Sequence, residues 1–274
     1  MPWTKGELLG EGGYGRVFEC LNDDGTICAA KVMTLRQGDD DRAKAAQAEI
    51  EREVELMKKL RHPNIVQYIG TERDEKSLTI FLALVPGGSI TIMLGKYGKF
   101  KEPIIRGYVR ESLQGLQYLH ANKILHRDVK GSNILVDHDG VCKLSDFGCS
   151  KMLYGEVSSA QTLRGTPQFM APEVLRHHGL GYTDKADVWS VGCTVVEMAT
   201  AQRPWPDFSS NEAVMFHVAT REHAKPITPS WLSQECGDFL AQCFARDPSE
   251  RPSVDQLLKH PMVAHANLAA KQRL

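Results

Sequence analysis

The sequence predicts an α+β fold in which a small strand-rich unit precedes a larger helical unit. Short apolar runs separated by turn residues fill the first 35 residues, and one Ala-, Glu- and Lys-rich helical segment follows. Beyond Gly88 the sequence consists mainly of long amphipathic segments with helical spacing. The predicted change from strands to helices therefore falls near residues 83–88. A chain of 274 residues exceeds a typical single core, and both two packed units and one large domain fit that length.

Composition and charge exclude several classes of protein. A content of 42% hydrophobic and 24% charged residues is typical of a soluble globular protein. The net charge of −1 gives no electrostatic reason to expect nucleic acid or an anionic membrane as a partner. The apolar stretch 188–201 is too short to span a membrane, and MPWTKGELLG lacks the apolar core of a signal peptide. We therefore expect a cytoplasmic protein.

The cysteines point to the same compartment. Their positions are Cys20, Cys28, Cys142, Cys149, Cys193, Cys236 and Cys243. No two of them form a C-x-x-C pair, and the count is odd. This pattern predicts free thiols in a reducing environment.

The first elements are strands followed by one helix. LLGEGGYGRVFEC and the strand at 26–33 are joined by the turn NDDG at 22–25. The helix is predicted from about Asp40 to Leu60. Glu53 falls in the middle of its apolar stripe, and an acid on a buried face requires a partner because an unpaired buried charge is costly.

The remaining elements change from strands to helices. Segments 64–70 and 77–85 are predicted as strands, the second of which ends in PGGS. Segments 104–120 and 186–200 are predicted as long helices. Further helices are expected in the last 60 residues, which also carry turn signals.

A glycine-rich motif, GEGGYGRV at 10–17, has the pattern G-x-G-x-x-G-x-V, which fits two kinds of phosphate site. In a dinucleotide-binding oxidoreductase the glycines must open a helix. Here residues 16–20 continue as a strand-like run, which favours a hairpin whose backbone amides approach a polyphosphate. By itself the motif also fits an ordinary glycine-rich hairpin.

Three other polar features carry possible chemistry. Lys31 lies on a strand, and pairing with Glu53 would aim its ammonium group at phosphate oxygens. The loop HRDVKGSN at 126–133 concentrates charged side chains, and LSDFG follows it. Asn133 and Asp146 offer the hard oxygen ligands that suit Mg²⁺. Taken singly, these are also compatible with a solvent-facing lysine, a surface loop and a turn.

Together these features resemble the motif set of eukaryotic protein kinases. The matching residues, in order and at kinase spacing, are Gly10, Gly12, Gly15, Val17, Lys31, Glu53, HRDVKGSN, DFG and APE at 171–173. The resemblance extends from Trp3 to Met262. It implies one kinase domain over 1–274 with a bilobal fold. The small antiparallel β-sheet N-lobe with one main helix would cover about 3–82, the hinge about 83–85, and the larger helical C-lobe about 86–265.

The resemblance also implies an ATP-dependent enzyme that uses Mg²⁺. Asp128 would accept the proton of the substrate hydroxyl, and Lys130 would balance charge on the transferring phosphoryl group. Asn133 and Asp146 would bind the metal ions. Lys31, held by Glu53, would grip the α- and β-phosphates.

Nucleotide-binding residues are carried over in the same way. Leu82 would be the gatekeeper, and the backbones of Ala83 and Val85 would hydrogen-bond adenine. Relatives usually have Glu at the position of Ala83, a departure that a backbone-mediated contact tolerates. The full set implied is Leu9, Gly10, Glu11, Gly12, Gly13, Gly15, Val17, Ala29, Lys31, Leu82, Ala83, Val85 and Leu135.

Other residues and motifs indicate the branch of the kinase family. Lys130 and GTPQFMAPE at 165–173 are typical of Ser/Thr kinases, and Thr166 is expected to hydrogen-bond Asp128 and Lys130. The opening WTKGELLG, LRHPNIVQYIG at 60–70, PGGSI at 86–90 and HRDVKGSNILVD resemble mitogen-activated protein kinase kinase kinases. A downstream MAP kinase kinase would then be the protein substrate.

Two alternatives stay open at this point. Kinases one level higher in such cascades share PGGS and related loops. A catalytically silent pseudokinase would act as a scaffold, but it usually lacks the strand lysine or one of the two aspartates. Lys31, Asp128 and Asp146 are all present here.

The resemblance also implies regulatory phosphorylation sites and structural contacts. The candidate phosphosites are Ser158, Ser159 and Thr162, of which Thr162 best matches the family's activating position, where phosphate would pair with Arg127. Three structural contacts are also predicted: Glu173 with Arg251, Asp187 with the backbone of the HRD residues, and His126 with Phe147.

Overall fold

A computed structural model describes residues 3–12, 15–35, 41–147, 150–152, 165–176 and 182–266. The chain divides into two compact units, Met1–Pro86 (unit 1) and Gly87–Leu274 (unit 2). Unit 1 holds a small antiparallel sheet with one main helix, and unit 2 is mainly helical, which confirms the predicted α+β class. Within the described ranges, every helix is too short or too polar to cross a membrane.

Unit 1 is built on one five-stranded sheet with the spatial order β1-β2-β3-β5-β4, in which all neighbours run antiparallel. The helix α1 connects β3 to β4. The elements are β1 (Trp3–Gly12), β2 (Gly15–Asn22), β3 (Ile27–Thr34), α1 (Asp41–Lys59), β4 (Tyr68–Arg73) and β5 (Ser77–Ala83).

A small core covers one face of the β2–β3–β5 region. Trp3 packs edge-on against the buried Phe81 with ring centroids 5.6 Å apart, and its indole N–H donates to the Glu72 carboxylate at 2.9 Å. Cys20, Cys28 and Ala30 complete the cluster. The aromatic pair therefore joins the first strand to the centre of the sheet.

Two cysteines of this cluster correct a prediction. Cys20 and Cys28 stand directly opposite each other in the β2–β3 register, with Cα atoms 5.1 Å apart, and form a disulfide. The expectation of free thiols is wrong for this pair, because sequence spacing does not show that two side chains meet on one face of a hairpin. The other described cysteines, Cys142, Cys193, Cys236 and Cys243, form no disulfide among the described residues and are buried. Cys149 lies outside the described residues.

The predicted strand at 64–70 is also partly wrong. The Ile65 N–H donates to the His62 carbonyl, and the Asn64 N–H donates to His62 Nδ1, so a turn occupies its first half. The strand begins only at Tyr68. The apolar pair Ile65 and Val66 is buried, so the hydrophobic run reflects burial as well as the β-bridge at Ile65.

Unit 2 contains eight helices among its described residues and two small two-stranded sheets, β6–β9 and β7–β8. The helices are α2 (Ile90–Tyr97), α3 (Glu102–Ala121), α4 (Pro172–Arg176), α5 (Asp184–Thr200), α6 (Asn211–Thr220), α7 (Gln234–Cys243), α8 (Val254–Leu257) and α9 (Pro261–Ala264). The strands are β6 (Ile124–Leu125), β7 (Ile134–Val136), β8 (Cys142–Leu144) and β9 (Lys151–Met152).

The helix α5 lies in the core of unit 2. Thr183 caps its N-terminus, and nearly every residue from Ala186 to Ala199 is buried. A helix that is apolar on all sides is typical of a fully buried position. Two acids, Asp187 and Glu197, interrupt this apolar surface and are buried as well.

Candidate active-site residues

The glycine motif forms the β1–β2 hairpin of unit 1, in which Gly12 pairs with Gly15. Gly15 has a φ of +130°, and a Cβ there would lie 2.3 Å from the Val32 carbonyl oxygen, so the fold itself demands glycine. At Gly10 a Cβ would meet no described atom within 4 Å, and its φ is not positive. Glycine at position 10 therefore leaves open space, as a close ligand would require.

The predicted ion pair of unit 1 is present. Lys31 Nζ on β3 lies 2.9 Å from Glu53 Oε1 on α1, and both side chains are buried. Burial makes the pair interdependent, because either charge alone would be costly. The prediction that an acid in the apolar stripe of the helix needs a partner is thus confirmed.

The segment predicted to contact adenine follows the end of β5. Leu82 pairs with Ala29 of β3, and Val85 is buried. The Ala83 N–H donates to the Gln67 carbonyl at 2.8 Å. A nucleotide contact at Ala83 therefore has to use its carbonyl oxygen.

In unit 2 the carboxylate of Asp128 is held by several donors. Its Oδ1 accepts the backbone N–H of Thr166 at 2.9 Å and the Thr166 hydroxyl at 2.8 Å. Its Oδ2 lies 2.8 Å from Lys130 Nζ and accepts from Asn133 Nδ2 at 2.9 Å. Lys130 also donates to Thr166 Oγ1 at 2.6 Å, so both predicted contacts of Thr166 are confirmed.

Gly165 explains how Thr166 comes so close. It has a φ of +107°, and a Cβ there would lie 2.6 Å from the Arg127 carbonyl oxygen. Only glycine fits both conditions without strain. Gly165 therefore allows the close approach by which Thr166 holds the Asp128 carboxylate.

The two candidate metal ligands lie on neighbouring segments. The Asn133 amide nitrogen donates to the Asp128 carbonyl and carboxylate, each at 2.9 Å, which leaves the amide oxygen as the atom that can bind a metal. The N–H and hydroxyl of Ser145 donate to the Asn133 carbonyl, so the residue before Asp146 is tied to Asn133. Asp146 has a φ of +60°, a left-handed conformation that is uncommon for non-glycine residues.

These residues fit Mg²⁺. The ion prefers one or two carboxylates and completes its octahedron with phosphate oxygens and water. Asp146 and Asn133 supply one carboxylate and one amide oxygen. Within the described part of the chain, no group of three His, Cys, Asp or Glu side chains could hold a metal ion.

Asp187 of α5 holds the start of the HRD segment, as predicted. Its carboxylate accepts the backbone N–H of His126 at 3.0 Å and that of Arg127 at 2.8 Å, and it lies 2.8 Å from His120 Nε2. Burial alone would raise the pKa of Asp187, but the hydrogen bond and charge of His120 outweigh it and hold that pKa below its ordinary value. His120 was not predicted from the sequence, although a polar residue at the end of an amphipathic helix was a visible sign of it.

The other scaffold predictions are confirmed. The rings of His126 and Phe147 pack with centroids 5.5 Å apart. Arg251 makes a two-pronged ion pair with Glu173, with both N–O distances at 2.7 Å. Arg127 has a φ of +70°, and its guanidinium carbon lies 4.2 Å from the centre of the Tyr182 ring.

Several predicted site residues have no structural account or only a partial one. Gly13, Gly148, Ser158, Ser159 and Thr162 lie outside the described residues. The remaining predicted nucleotide residues are Leu9 and Glu11, which are exposed on β1, Val17 and Ala29, which lie on β2 and β3, and Leu135, which lies on β7 of unit 2.

Comparisons with known proteins agree with this geometry. The family model described as "Protein kinase domain" matches residues 3–263. The chain is 49% identical to mitogen-activated protein kinase kinase kinase A of Dictyostelium discoideum, over 96% of this chain and 28% of that protein. It is 44% identical to mitogen-activated protein kinase kinase kinase 2 of Arabidopsis thaliana, over 95% of this chain and 40% of that protein.

A mammalian relative extends the pattern. Mitogen-activated protein kinase kinase kinase 19 of Mus musculus is 42% identical over 94% of this chain and 20% of its own length. The chain thus spans less than half the length of these relatives. The match covers the whole set of residues described above, and the chain belongs to the protein kinase family, with a kinase domain similar to those of mitogen-activated protein kinase kinase kinases.

Proposed function

We propose that this chain is an ATP-dependent serine/threonine protein kinase that acts as a MAP kinase kinase kinase. The observation that supports this most strongly is the arrangement of Asp128, Lys130 and Thr166, in which every polar side-chain atom contacts another member of the group. Such an arrangement fixes a carboxylate and an ammonium group side by side, as transfer of a phosphoryl group to a hydroxyl requires.

In the proposed reaction, the oxygen of a Ser or Thr hydroxyl forms a bond to the γ-phosphorus of ATP. The bond from that phosphorus to the β,γ-bridging oxygen breaks, and ADP leaves. The hydroxyl proton passes to Asp128, whose free rotation is prevented by Thr166 and Asn133. Lys130 supplies positive charge near the transferring group.

Mg²⁺, when bound, neutralises charge on the β- and γ-phosphates. Asn133 and Asp146 are the residues that would hold it. The left-handed conformation of Asp146 and the link from Ser145 to Asn133 orient these two ligands before any metal binds.

The residues of unit 1 are proposed to hold the nucleotide. The open space at Gly10 would allow backbone amides of the hairpin to approach the phosphates. Lys31, which Glu53 holds, would contact the α- and β-phosphates. The backbones of Ala83 and Val85 would bind adenine, and the other nucleotide residues proposed in unit 1 are Leu9, Glu11, Gly12, Gly13, Gly15, Val17, Ala29 and Leu82. Leu135 of unit 2 is a further candidate.

The proposed protein substrate is a downstream MAP kinase kinase. Support comes from the names of the three relatives described above, which are MAP kinase kinase kinases at 42–49% identity. A cytoplasmic location is part of this proposal, because such a substrate and ATP must both be available. Kinases one level higher in such cascades are the alternative, and their expected substrate would be a MAP kinase kinase kinase.

The test is a phosphotransfer assay with labelled ATP and Mg²⁺. Catalytically dead forms of a MAP kinase kinase and a MAP kinase kinase kinase are offered separately, beside a generic basic protein. The control is Asp146→Asn, which we expect to abolish transfer with a melting temperature near that of the wild type. Label on Ser or Thr of the MAP kinase kinase supports the proposal, and label on the MAP kinase kinase kinase favours the higher level. No transfer by the wild type would indicate a pseudokinase.

We also propose that phosphorylation of Thr162 activates the enzyme, with Ser158 and Ser159 as the secondary candidates. Arg127 is suited to receive the phosphate, because its buried Nε has no hydrogen-bond partner in the described structure. The test is autophosphorylation followed by mass spectrometry, with Thr162→Ala as the variant. A Thr162→Ala enzyme with full activity and unchanged ATP kinetics would contradict this regulatory proposal alone.

A further inference from the structure

We infer that Glu197 is a positioning residue for the catalytic loop, residues 126–133, and that α5 holds this loop at two points, through Asp187 and through Glu197. The inference rests on the catalytic roles proposed for Asp128 and Lys130. The carboxylates of α5 would fix the stretch of backbone that carries both side chains.

Glu197 contacts the part of the catalytic loop that follows Lys130. Its Oε2 accepts the backbone N–H of Gly131 at 2.9 Å, and its Oε1 accepts the hydroxyl of Thr91 at 2.9 Å. Only 7% of the residue is exposed. A buried carboxylate with two donors is a strong acceptor, so the Gly131 peptide is held firmly.

Gly131 is fitted to this carboxylate. A Cβ on Gly131 would lie 2.7 Å from Glu197 Oε2 and 2.9 Å from its Cδ, closer than non-bonded atoms allow. Glycine at 131 therefore provides both the space and the N–H that the acid requires. Proline, which lacks an N–H, would remove the contact altogether.

Helix geometry shows why two anchors matter. Asp187 and Glu197 are ten residues apart on one helix, which is about 15 Å at 1.5 Å per residue. Arg127 and Gly131, whose N–H groups they bind, are separated by four residues, which reach at most about 14 Å when fully extended. Lys130 has the extended angles φ −167° and ψ 164°. The two anchors therefore hold both ends of the backbone stretch that carries Asp128 and Lys130.

The surroundings of Glu197 act on its pKa in opposite directions, and burial is the largest influence. Burial raises the pKa of Glu197, while the Gly131 N–H, the Thr91 hydroxyl and the positive charges of Lys130 and Arg203 oppose the increase.

The experiment compares three variants of the whole chain by kcat, KM for ATP and melting temperature. Glu197→Ala should lower kcat by ~10-fold or more with KM for ATP nearly unchanged, because even ~1 Å of misplacement at a reacting group is costly. Glu197→Gln should recover most of the lost activity, since its amide oxygen still accepts from Gly131 and its NH₂ can donate to Thr91.

Glu102→Ala is the matched control. Glu102 likewise accepts one backbone N–H and one hydroxyl, both from Ser233, at 2.7 and 2.6 Å; it also pairs with Arg106 at 2.7 Å, and none of these contacts involves the catalytic loop. We expect this variant to lose stability and keep its kcat. If Glu197→Ala yields no folded protein, Thr91→Val at the exposed end of the contact must still lower kcat. An unchanged kcat in every folded variant at Glu197 and Thr91 overturns the inference.

Asp128→Asn, measured in parallel, separates this inference from the proposed function. If Asp128→Asn retains wild-type activity, the proposed catalytic role itself fails. If Asp128→Asn is inactive and the Glu197 variants behave like Glu102→Ala, only the positioning role fails.

Discussion

The two units hold their proposed functional residues by different means. In unit 1, the glycine hairpin and the segment around Ala83 are shaped by strand pairing, and the functional side chains described there depend on one ion pair, Lys31 with Glu53. In unit 2, the functional groups lie on a loop rather than on a regular sheet. Buried carboxylates of α5 and the Thr166 hydroxyl hold that loop in place.

This difference predicts where substitutions are tolerated. Backbone-mediated functions survive changes of side chain as long as the strand ladder is intact. A loop held by buried side chains is less tolerant of substitution, because each lost acceptor leaves a buried N–H donor unsatisfied. We therefore expect unit 2 to be the more sensitive of the two.

The largest effect is expected at Asp187. Asp187→Ala leaves the buried N–H groups of His126 and Arg127 without their acceptor. At about 1–3 kcal/mol for each unsatisfied group, the free energy of unfolding should fall by about 2–6 kcal/mol, and phosphotransfer should be lost. Urea unfolding and the phosphotransfer assay measure the two effects. Wild-type activity in a folded Asp187→Ala protein would show that the backbone does not need this anchor.

The pH dependence of stability provides a control for Asp187. A carboxyl group whose pKa is lower in the folded state stabilises the fold above its ordinary value of 3.8 and loses that contribution as the pH falls from 3.8 through the folded pKa. The stability difference between wild type and Asp187→Asn should therefore be smaller below pH 3.8 than at pH 5. A difference that grows in acid would contradict the lowered pKa.

A smaller effect is expected from Lys31→Met. The substitution leaves Glu53 buried without its partner and should lower the free energy of unfolding by about 3 kcal/mol. The double variant Lys31→Met with Glu53→Gln should recover part of that stability without recovering phosphotransfer. Recovery of activity together with stability would mean that Lys31 serves the fold alone.

The disulfide of unit 1 should contribute less again. Cys20 and Cys28 close a short loop, for which chain entropy gives about 2–3 kcal/mol. Incubation with dithiothreitol should lower the melting temperature of the wild type but leave the Cys20→Ala, Cys28→Ala variant unchanged. Equal responses of the two proteins would show that the disulfide does not stabilise the hairpin in solution.

The smallest effect is expected at Ala83. Ala83→Glu should change the KM for ATP by less than ~3-fold, because the proposed adenine contact uses the backbone carbonyl rather than the side chain. ATP kinetics of this variant test the tolerance expected of unit 1. A much larger change in KM would show that the side chain itself contributes to the nucleotide contact.

Prediction from sequence succeeded where a pattern had one physical solution. An acid in the apolar stripe of a helix needed a cation, and Lys31 was the candidate that the strand order provided; the pair is present. The long helices were also predicted within about two residues, because their apolar spacing repeats over several turns.

Prediction failed where the answer depends on register or on distant contacts. The Cys20–Cys28 bond needs the β2–β3 register, which spacing alone does not fix. The contact of Glu197 with Gly131 joins residues 66 positions apart, although an acid inside the apolar run of α5 was a visible signal. The turn at His62 depends on a side chain that accepts a backbone N–H, which hydrophobicity patterns do not report.

The most direct test of the central claim is the rate of phosphotransfer at saturating ATP and Mg²⁺ for wild type and Asp128→Asn, measured together with the Kd for ATP. We expect the phosphotransfer rate of Asp128→Asn to be about 100-fold or more below that of the wild type, with the Kd for ATP and the melting temperature nearly unchanged. Equal rates for the two proteins would contradict the claim that the carboxylate held by Thr166, Lys130 and Asn133 receives the substrate's proton.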